Sequence, residues 1–313
     1  MEPKPPFPNP RYRLLKRLGE GGFGVVFLAT DLFMGTNVAI KVLSTRTHDD
    51  EERFRRELRL LQKQIDNRHV VTVLDADLDG EMPHIVLEYC EGGSLRSWVE
   101  KRHPWREVAA VLTHALFGLW GVHRLGGFHR DLKPDNLLVA FDQSRHETVV
   151  KVADFGLARV PATSTGPMTQ GMGGTPGYIA PEVLAGQPFT AAADIYSLGV
   201  VALELLTGSR APGTVLPNTL PESLRRLVGQ MLAVRPEGRP DAMTIARRLS
   251  DVLAAPVGPT APAPQAAFSG SGALMLLLGV GVFAGLAALA GGNSKEWDEN
   301  VARYRGPDGR FRR

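Results

Sequence analysis

The stretch Phe128-His129-Arg130-Asp131-Leu132-Lys133-Pro134-Asp135-Asn136 places an acid, a lysine and an amide within six residues. It follows an apolar run with helical spacing and precedes the short apolar run Leu137-Leu138-Val139. Asp131 can accept a proton from an attacking hydroxyl, and Lys133 can steady a transferring phosphate. The Asn136 side-chain oxygen suits a hard cation such as Mg²⁺. Charge that spreads over phosphate oxygens is best stabilised by preplaced cations and metal, so this set of side chains suits phosphoryl transfer.

Towards the amino end, Gly19-Glu20-Gly21-Gly22-Phe23-Gly24 separates two strand-like runs, Tyr12 to Leu18 and Val25 to Ala29. Glycines let backbone N–H groups approach phosphates without side-chain obstruction. The same spacing suits a dinucleotide fold, but that fold needs a helix after the glycines, and Val25-Val26-Phe27-Leu28-Ala29 favours a strand. Val38-Ala39-Ile40-Lys41-Val42 reads as a third strand with one lysine in an apolar run. Asp49 to Ile65 follows, with Phe54, Leu58, Leu61 and Ile65 at helical spacing and Glu57 beside them. Two readings stand here. Lys41 pairs with Glu57 and faces a phosphate, or Lys41 snorkels from an edge strand and Glu57 lies on a solvated helix face.

Beyond the strand His84 to Tyr89, the chain leaves through Cys90-Glu91-Gly92-Gly93-Ser94. Helices are expected at Leu95 to Lys101 and Glu107 to Arg124, the latter with Val108, Val111, Leu112, Ala115, Leu119 and Val122 as a core stripe. His103, His114 and His123 lack a ligand cluster and read as structural. Val149 to Ala153 reads as a strand ending in Asp154-Phe155-Gly156. The polar, Gly-rich stretch Leu157 to Gly174 holds Thr163, Ser164, Thr165 and Thr169, and its length marks a functional segment. A phosphate there, on Thr169 first, could pair with Arg130 beside Asp131; the plain alternative is that these residues keep the loop soluble. Helices are expected at Asp194 to Leu206, Glu222 to Ala233 and Thr244 to Leu253.

Taken together, the glycine loop, Lys41, Glu57, the His129-Arg130-Asp131 loop, Asp154-Phe155-Gly156 and Ala180-Pro181-Glu182 occur in the order found in protein kinases. The chain resembles the eukaryotic-like (Hanks-type) serine/threonine protein kinases of bacteria over residues 11–254, and Lys133 with Gly174-Thr175-Pro176-Gly177-Tyr178 resembles the Ser/Thr branch. The resemblance implies an α+β, bilobal fold: a small β-rich lobe, a larger helical lobe, and ATP in the cleft. It implies catalytic roles for Asp131, Lys133 and Lys41, and metal ligation of Mg²⁺ (or Mn²⁺ in its place) by Asn136 and Asp154. ATP would be held by Leu18, Gly19, Gly21, Gly22, Gly24, Val26, Ala39, Lys41, Glu57 and Leu138. The Glu88 carbonyl and Cys90 amide would meet the adenine edge, with Leu87 behind it. Cys90 itself has no adjacent base or cation that would make its thiol reactive. Thr175 is expected on Asp131 and Lys133, Glu182 on Arg239, and Asp194 on the catalytic-loop backbone. One departure stands out. Only a short Gly/Pro-containing stretch joins the helices between Gly208 and Leu220, where the family usually carries a longer segment that helps dock partners.

The 313 residues, 43% hydrophobic with a net charge of +3, suffice for one large core or two modest ones and do not indicate nucleic-acid binding. A single cysteine excludes an internal disulfide framework and fits a reducing compartment. Residues 1–10 are Pro-rich and read as disordered; 255–272 read as an Ala/Pro-rich linker. Residues 273–292 are apolar enough for a transmembrane helix, and 293–313 form a short polar tail. The expectation is a single-pass cell-membrane protein with a cytoplasmic kinase domain, protein substrates and lipid contact. The Gly281/Gly285 pair or the kinase domain would offer a homodimer contact. The basic tail opposes export, so a re-entrant helix with both ends cytosolic stays open. The alternatives are a catalytically silent kinase-fold membrane scaffold and a small-molecule phosphotransferase. Lys41, Asp131 and Asp154 are all present, against the first; the Gly174 to Glu182 run resembles a protein-substrate platform, against the second.

Overall fold

The computed structural model describes residues 9–21, 24–43, 55, 58–59, 67–80, 82–142, 145–155, 175–211 and 213–255. Two strands, β1 (Tyr12–Gly21) and β2 (Gly24–Asp31), form a hairpin in which Gly21 faces Gly24 across the turn. β3 (Thr36–Leu43), β4 (Val73–Asp77) and β5 (His84–Glu88) complete an antiparallel sheet of order β1-β2-β3-β5-β4.

Directly opposed residues in antiparallel strands share a face. Val26 faces Lys41, which faces Ile85; Leu28 faces Ala39, which faces Leu87. One face of the sheet therefore carries Val26, Ala39, Lys41 and Leu87 together. The other buries Tyr12, Ala29, Val38, Ile40, Val42 and Val86. Of the expected helix Asp49 to Ile65, only Arg55, Leu58 and Arg59 are described, all helical, and Leu58 packs on Leu43 and Ile85. Gly24 is required by close approach, since a Cβ there would sit 2.2 Å from the Val42 carbonyl oxygen.

The edge strand β4 has no counterpart in the sequence reading. Val73-Leu74-Asp75-Ala76-Asp77 lacks clean alternation, and a register shift falls between Val73 and Asp75. Asp75 is tolerated because it accepts hydrogen bonds from Tyr12 Oη at 2.8 Å and Arg11 Nη1 at 3.3 Å.

The second half is mostly helical. It comprises α1 (Arg96–Val99), α2 (Trp105–Arg124), α3 (Pro181–Leu184), α4 (Ala191–Thr207), α5 (Glu222–Met231) and α6 (Ala242–Ala254), with the hairpin β6 (Leu137–Asp142) and β7 (Glu147–Val152). Helix α2 is the hub: its apolar stripe packs on α6, α4 and β7. Gly208, at φ +75°, caps α4 in the left-handed region. Between α4 and α5 the described residues form turns only. A β-rich lobe followed by a helical lobe agrees with the expected bilobal kinase fold.

The outer edge of β7 is satisfied by two imidazoles. Val150 N–H donates to His114 Nδ1 at 3.2 Å, and His69 Nδ1 donates to the Val150 carbonyl at 3.3 Å. The rings lie 4.7 Å apart. Burial, and secondarily Arg68, push His114 down to about 4; burial, His114, Arg68 and Lys151 hold His69 well below its usual value. Both rings are neutral in the folded state, whereas the unfolded chain takes up protons below about pH 6.5. The unfolded state then binds more protons, so stability is full above pH 6.5 and falls as pH drops towards 4, by up to about 3 kcal/mol for His114. Thermal melts from pH 7.5 to 4.5 should show this loss, and His114→Gln should flatten it; equal slopes would refute the assignment.

Among the described residues no helix is long and apolar enough to cross a membrane. The expected membrane segment 273–292, its tail 293–313, the linker after Ala255 and residues 1–8 lie outside the described residues, as do Gly22, Glu57 and the loop bearing Thr163, Ser164, Thr165 and Thr169.

Candidate active site

Lys41 is 6% exposed on β3, and its Nζ donates to Asp154 Oδ1 at 2.6 Å. The Asp154 side chain stays 45% exposed, so its carboxylate faces open space as well as Lys41. The Lys41 ammonium, more than any other group, holds Asp154 below the usual carboxylate range. Asp154 has a left-handed backbone, φ +61°, rare for a residue other than glycine. Next to it Phe155 is fully buried against the His129 ring, 4.9 Å away. The buried ring anchors the segment that carries the strained aspartate.

The expected catalytic residues meet in a compact triangle. Lys133 Nζ donates to Asp131 Oδ2 at 2.8 Å and to Thr175 Oγ1 at 2.9 Å, while Thr175 Oγ1 donates to Asp131 Oδ1 at 2.8 Å. Asn136 Nδ2 donates to the Asp131 carbonyl at 2.8 Å, so the amide's donor end is engaged and its oxygen is kept for another partner. Thr175 reaches the triangle because Pro176 and Gly177, the latter at φ +93°, make a tight turn closed by Tyr178 N–H to the Thr175 carbonyl at 3.1 Å.

The catalytic-loop backbone is hung on Asp194, which is wholly buried in the first turn of α4. Its carboxylate accepts from His129 N–H, Arg130 N–H and His123 Nε2, each at 2.9 Å. Burial opposes ionisation, but the His123 bond and these amides hold Asp194 below its usual value. The bonds also compensate for the left-handed Arg130, φ +70°. His129 ties the two loops together: Nε2 donates to the Ala153 carbonyl at 2.8 Å and Nδ1 accepts from Asp131 N–H at 3.3 Å.

Register brings the two expected metal ligands together. Leu137 faces Val152 in the β6–β7 hairpin, and Ala153 N–H donates to the Asn136 carbonyl at 2.9 Å. Asn136 just before β6 and Asp154 just after β7 therefore stand at the same end of one hairpin.

Two of the expected base-site residues, Cys90 and Leu138, fall in one cluster together with Leu87. Leu87 and Leu138 pack against a cluster of Val71, Cys90, Ala140, Val149 and Ala153. Burial, then Glu88, pushes the Cys90 thiol up to about 12, so it is an inert packing group. Leu18 sits at a register shift between Arg17 and Gly19, and Gly19 faces Val26. A Cβ on Gly19 would meet no atom within 4 Å, so neither packing nor φ demands glycine there.

Two further networks flank the site. Glu182 is gripped by Arg239, as expected. The other network was missed by sequence reasoning: Arg96 donates to Asp135 at 2.9 Å, Glu204 at 3.0 Å and Tyr178 Oη at 2.9 Å, and Tyr178 Oη also bonds Glu204. Lys151 was missed as well, although it carries the signal that singled out Lys41, a lysine inside an apolar strand.

The protein kinase domain family matches residues 12–248. A serine/threonine-protein kinase PknL of Mycobacterium tuberculosis is 38% identical over 203 residues, covering 63% of this chain and 49% of the relative. A serine/threonine-protein kinase drp72 of Corynebacterium efficiens is 36% identical, covering 82% of this chain and 54% of its own length. For Pkn1 of Myxococcus xanthus the figures are 36% identity, 63% and 29%. The chain spans about half the length, or less, of these curated relatives. With the family match extending over most of the chain and every expected motif in order, the chain belongs to the protein kinase domain family, in its bacterial serine/threonine branch.

Proposed function

We propose that this chain transfers the γ-phosphoryl group of ATP to serine and threonine hydroxyls of proteins, its own loop 157–174 included. The Asp131 carboxylate carries this reading. Both of its oxygens are held, one by Lys133 and one by Thr175, yet a carboxylate offers about four acceptor positions. An incoming hydroxyl can donate to a remaining one, which orients its oxygen and takes its proton. Lys133 then balances charge on the transferred group, and Lys41 balances it on the phosphates held in the cleft.

The donor set fits a magnesium nucleotide. Among the described residues no three His, Cys, Asp or Glu side chains gather as a metal site. Mg²⁺ prefers one or two protein oxygens, with phosphates and water filling its shell, and Asp154 with Asn136 would supply these. When bound, the ion would neutralise phosphate oxygens. The sheet face of Val26 and Ala39, with Leu138 opposite, would hold the base, and Gly19, Gly21 and Gly24 would keep the phosphate approach open. The apolar stretch 273–292 supports tethering to a membrane, with the kinase domain on the cytosolic side where ATP is found.

The test is incubation of the purified chain with labelled ATP and Mg²⁺, with phosphosites mapped, beside Asp154→Asn. Label on serine or threonine, absent from the variant, is the expected result. Binding of ATP without any transfer to itself or to a generic protein substrate would overturn the enzymatic reading.

A further inference from the structure

The structure assigns Lys151 as the residue that positions the crossing segment between the two lobes for nucleotide binding. This rests on the nucleotide site proposed above. Lys151 Nζ donates to Glu88 Oε1 at 2.7 Å, with the side chains only 10% and 25% exposed. The same Oε1 accepts from Thr72 N–H at 2.7 Å, and Glu88 N–H donates to the Thr72 carbonyl at 3.0 Å. Glu88 ends β5, and the chain after it passes into the helical lobe.

The far side of that segment is held by backbone bonds, with Phe141 N–H donating to Glu91 Oε1 at 3.1 Å beside them. Gly92 N–H donates to the Val139 carbonyl at 3.0 Å, Val139 N–H donates to the Gly93 carbonyl at 2.8 Å, and Leu95 N–H donates to the Leu137 carbonyl at 2.9 Å. The lead into β4 is also bound to β7, through Val71 N–H to the Val152 carbonyl and Val152 N–H to the His69 carbonyl. One hairpin thus grips the crossing segment at both ends: β6 after Gly92, and β7 through the Lys151 ammonium before Tyr89. Lys151 lies opposite Leu138 in the hairpin register, so its stem shares a face with the floor of the base site. Neither residue touches the Asp131 triangle. Removing the ammonium leaves Glu88 largely buried without its ion partner, and the segment is free to drift. The consequence is a loss of nucleotide affinity with the chemical step preserved.

The test uses the full chain in mild detergent, with a fluorescent ATP analogue for Kd, steady-state transfer for KM and kcat, and thermal melts. Lys151→Met should raise Kd and the KM for ATP by about tenfold, with kcat within about twofold of the parent. Lys151→Arg should stay near the parent, and Glu88→Gln, which keeps an oxygen for Thr72 N–H but loses the ion pair, should raise Kd in the same direction as Lys151→Met by a smaller factor. Unchanged Kd in a folded Lys151→Met protein overturns the assignment, as does a kcat that falls in step with melting temperature while Kd holds. If Lys151→Met does not fold, Glu88→Gln decides. A raised Kd with kcat preserved supports the assignment, while an unchanged Kd or failure to fold leaves only a structural pair and overturns it. A parent that binds ATP but transfers nothing refutes the enzymatic reading alone, because the Kd series still tests Lys151.

Discussion

Asp131→Asn should lower phosphoryl transfer by about 10²- to 10⁴-fold while leaving ATP affinity within about twofold. The substitution is isosteric, and the asparagine keeps one oxygen for either Lys133 or Thr175. It lacks the negative charge that draws Lys133 inward and the basicity that takes a proton from the substrate hydroxyl. In its place stands an amide N–H₂, which cannot accept the hydroxyl's hydrogen bond. The nucleotide would be held elsewhere, by Lys41, Asp154, Asn136 and the sheet face, which keep their main contacts without the Asp131 charge. Asn136 Nδ2 donates at 2.8 Å to the Asp131 backbone carbonyl, which the substitution does not alter, and only at 3.5 Å to Asp131 Oδ2. Steady-state rates against a protein substrate, paired with nucleotide titration, separate the two effects. Equal activity in the variant would remove Asp131 from the chemistry; a matching loss of ATP binding would make it structural.

The sites were more legible in the sequence than the contacts that aim them. Strands β1 to β3, β5 and β7 and the long helices announce themselves by apolar periodicity. Boundaries were lost where a cap decides. Helix α6 begins at Ala242, before the expected Thr244, because Asp241 accepts from Thr244 N–H at 2.9 Å and so ends the preceding turn. Strand β4 was lost because its aspartates look like loop residues until Tyr12 and Arg11, distant in sequence, satisfy one of them. The short-range motif around Asp131 shows which side chains exist, and it cannot show that His129 reaches Ala153 or that Leu137 faces Val152. Those are matters of register and of hydrogen bonds between segments far apart in the chain. The Arg96 network was invisible for the same reason: its members come from α1, the catalytic loop, the Gly177 turn and α4. The pairing of Lys41 with Glu57 lies outside the described residues.

Arg239→Met should destabilise the kinase domain by about 3–5 kcal/mol. The guanidinium is wholly buried, and all five of its N–H donors are used. Nη1 and Nη2 donate to Glu182 Oε1 and Oε2 at 2.6 and 2.8 Å; Nη1 also reaches the Ala192 carbonyl at 2.9 Å. Nη2 takes the Val234 carbonyl at 3.2 Å and Nε the Ala233 carbonyl at 2.8 Å. The guanidinium carbon lies 4.9 Å from the Tyr196 ring centroid. Removing it strands a buried carboxylate and three carbonyls, and Lys would not rescue it, since an ammonium has three donors and no planar fork. For a domain of this size the loss corresponds to a melting temperature lower by about 10 °C. The double variant Arg239→Met/Glu182→Leu should recover much of it, because the unpaired charge rather than the lost bond dominates the cost. Glu182 also makes the prediction pH-dependent. Burial raises its pKa, but the Arg239 bonds outweigh that and hold it low, so the pair stabilises the fold above the ordinary carboxylate range and is lost as acid protonates Glu182. Chemical denaturation at neutral pH checks the magnitude: a single variant within about 1 kcal/mol of the parent would mean that Glu182 gains water or a proton when Arg239 goes and is not a stranded charge.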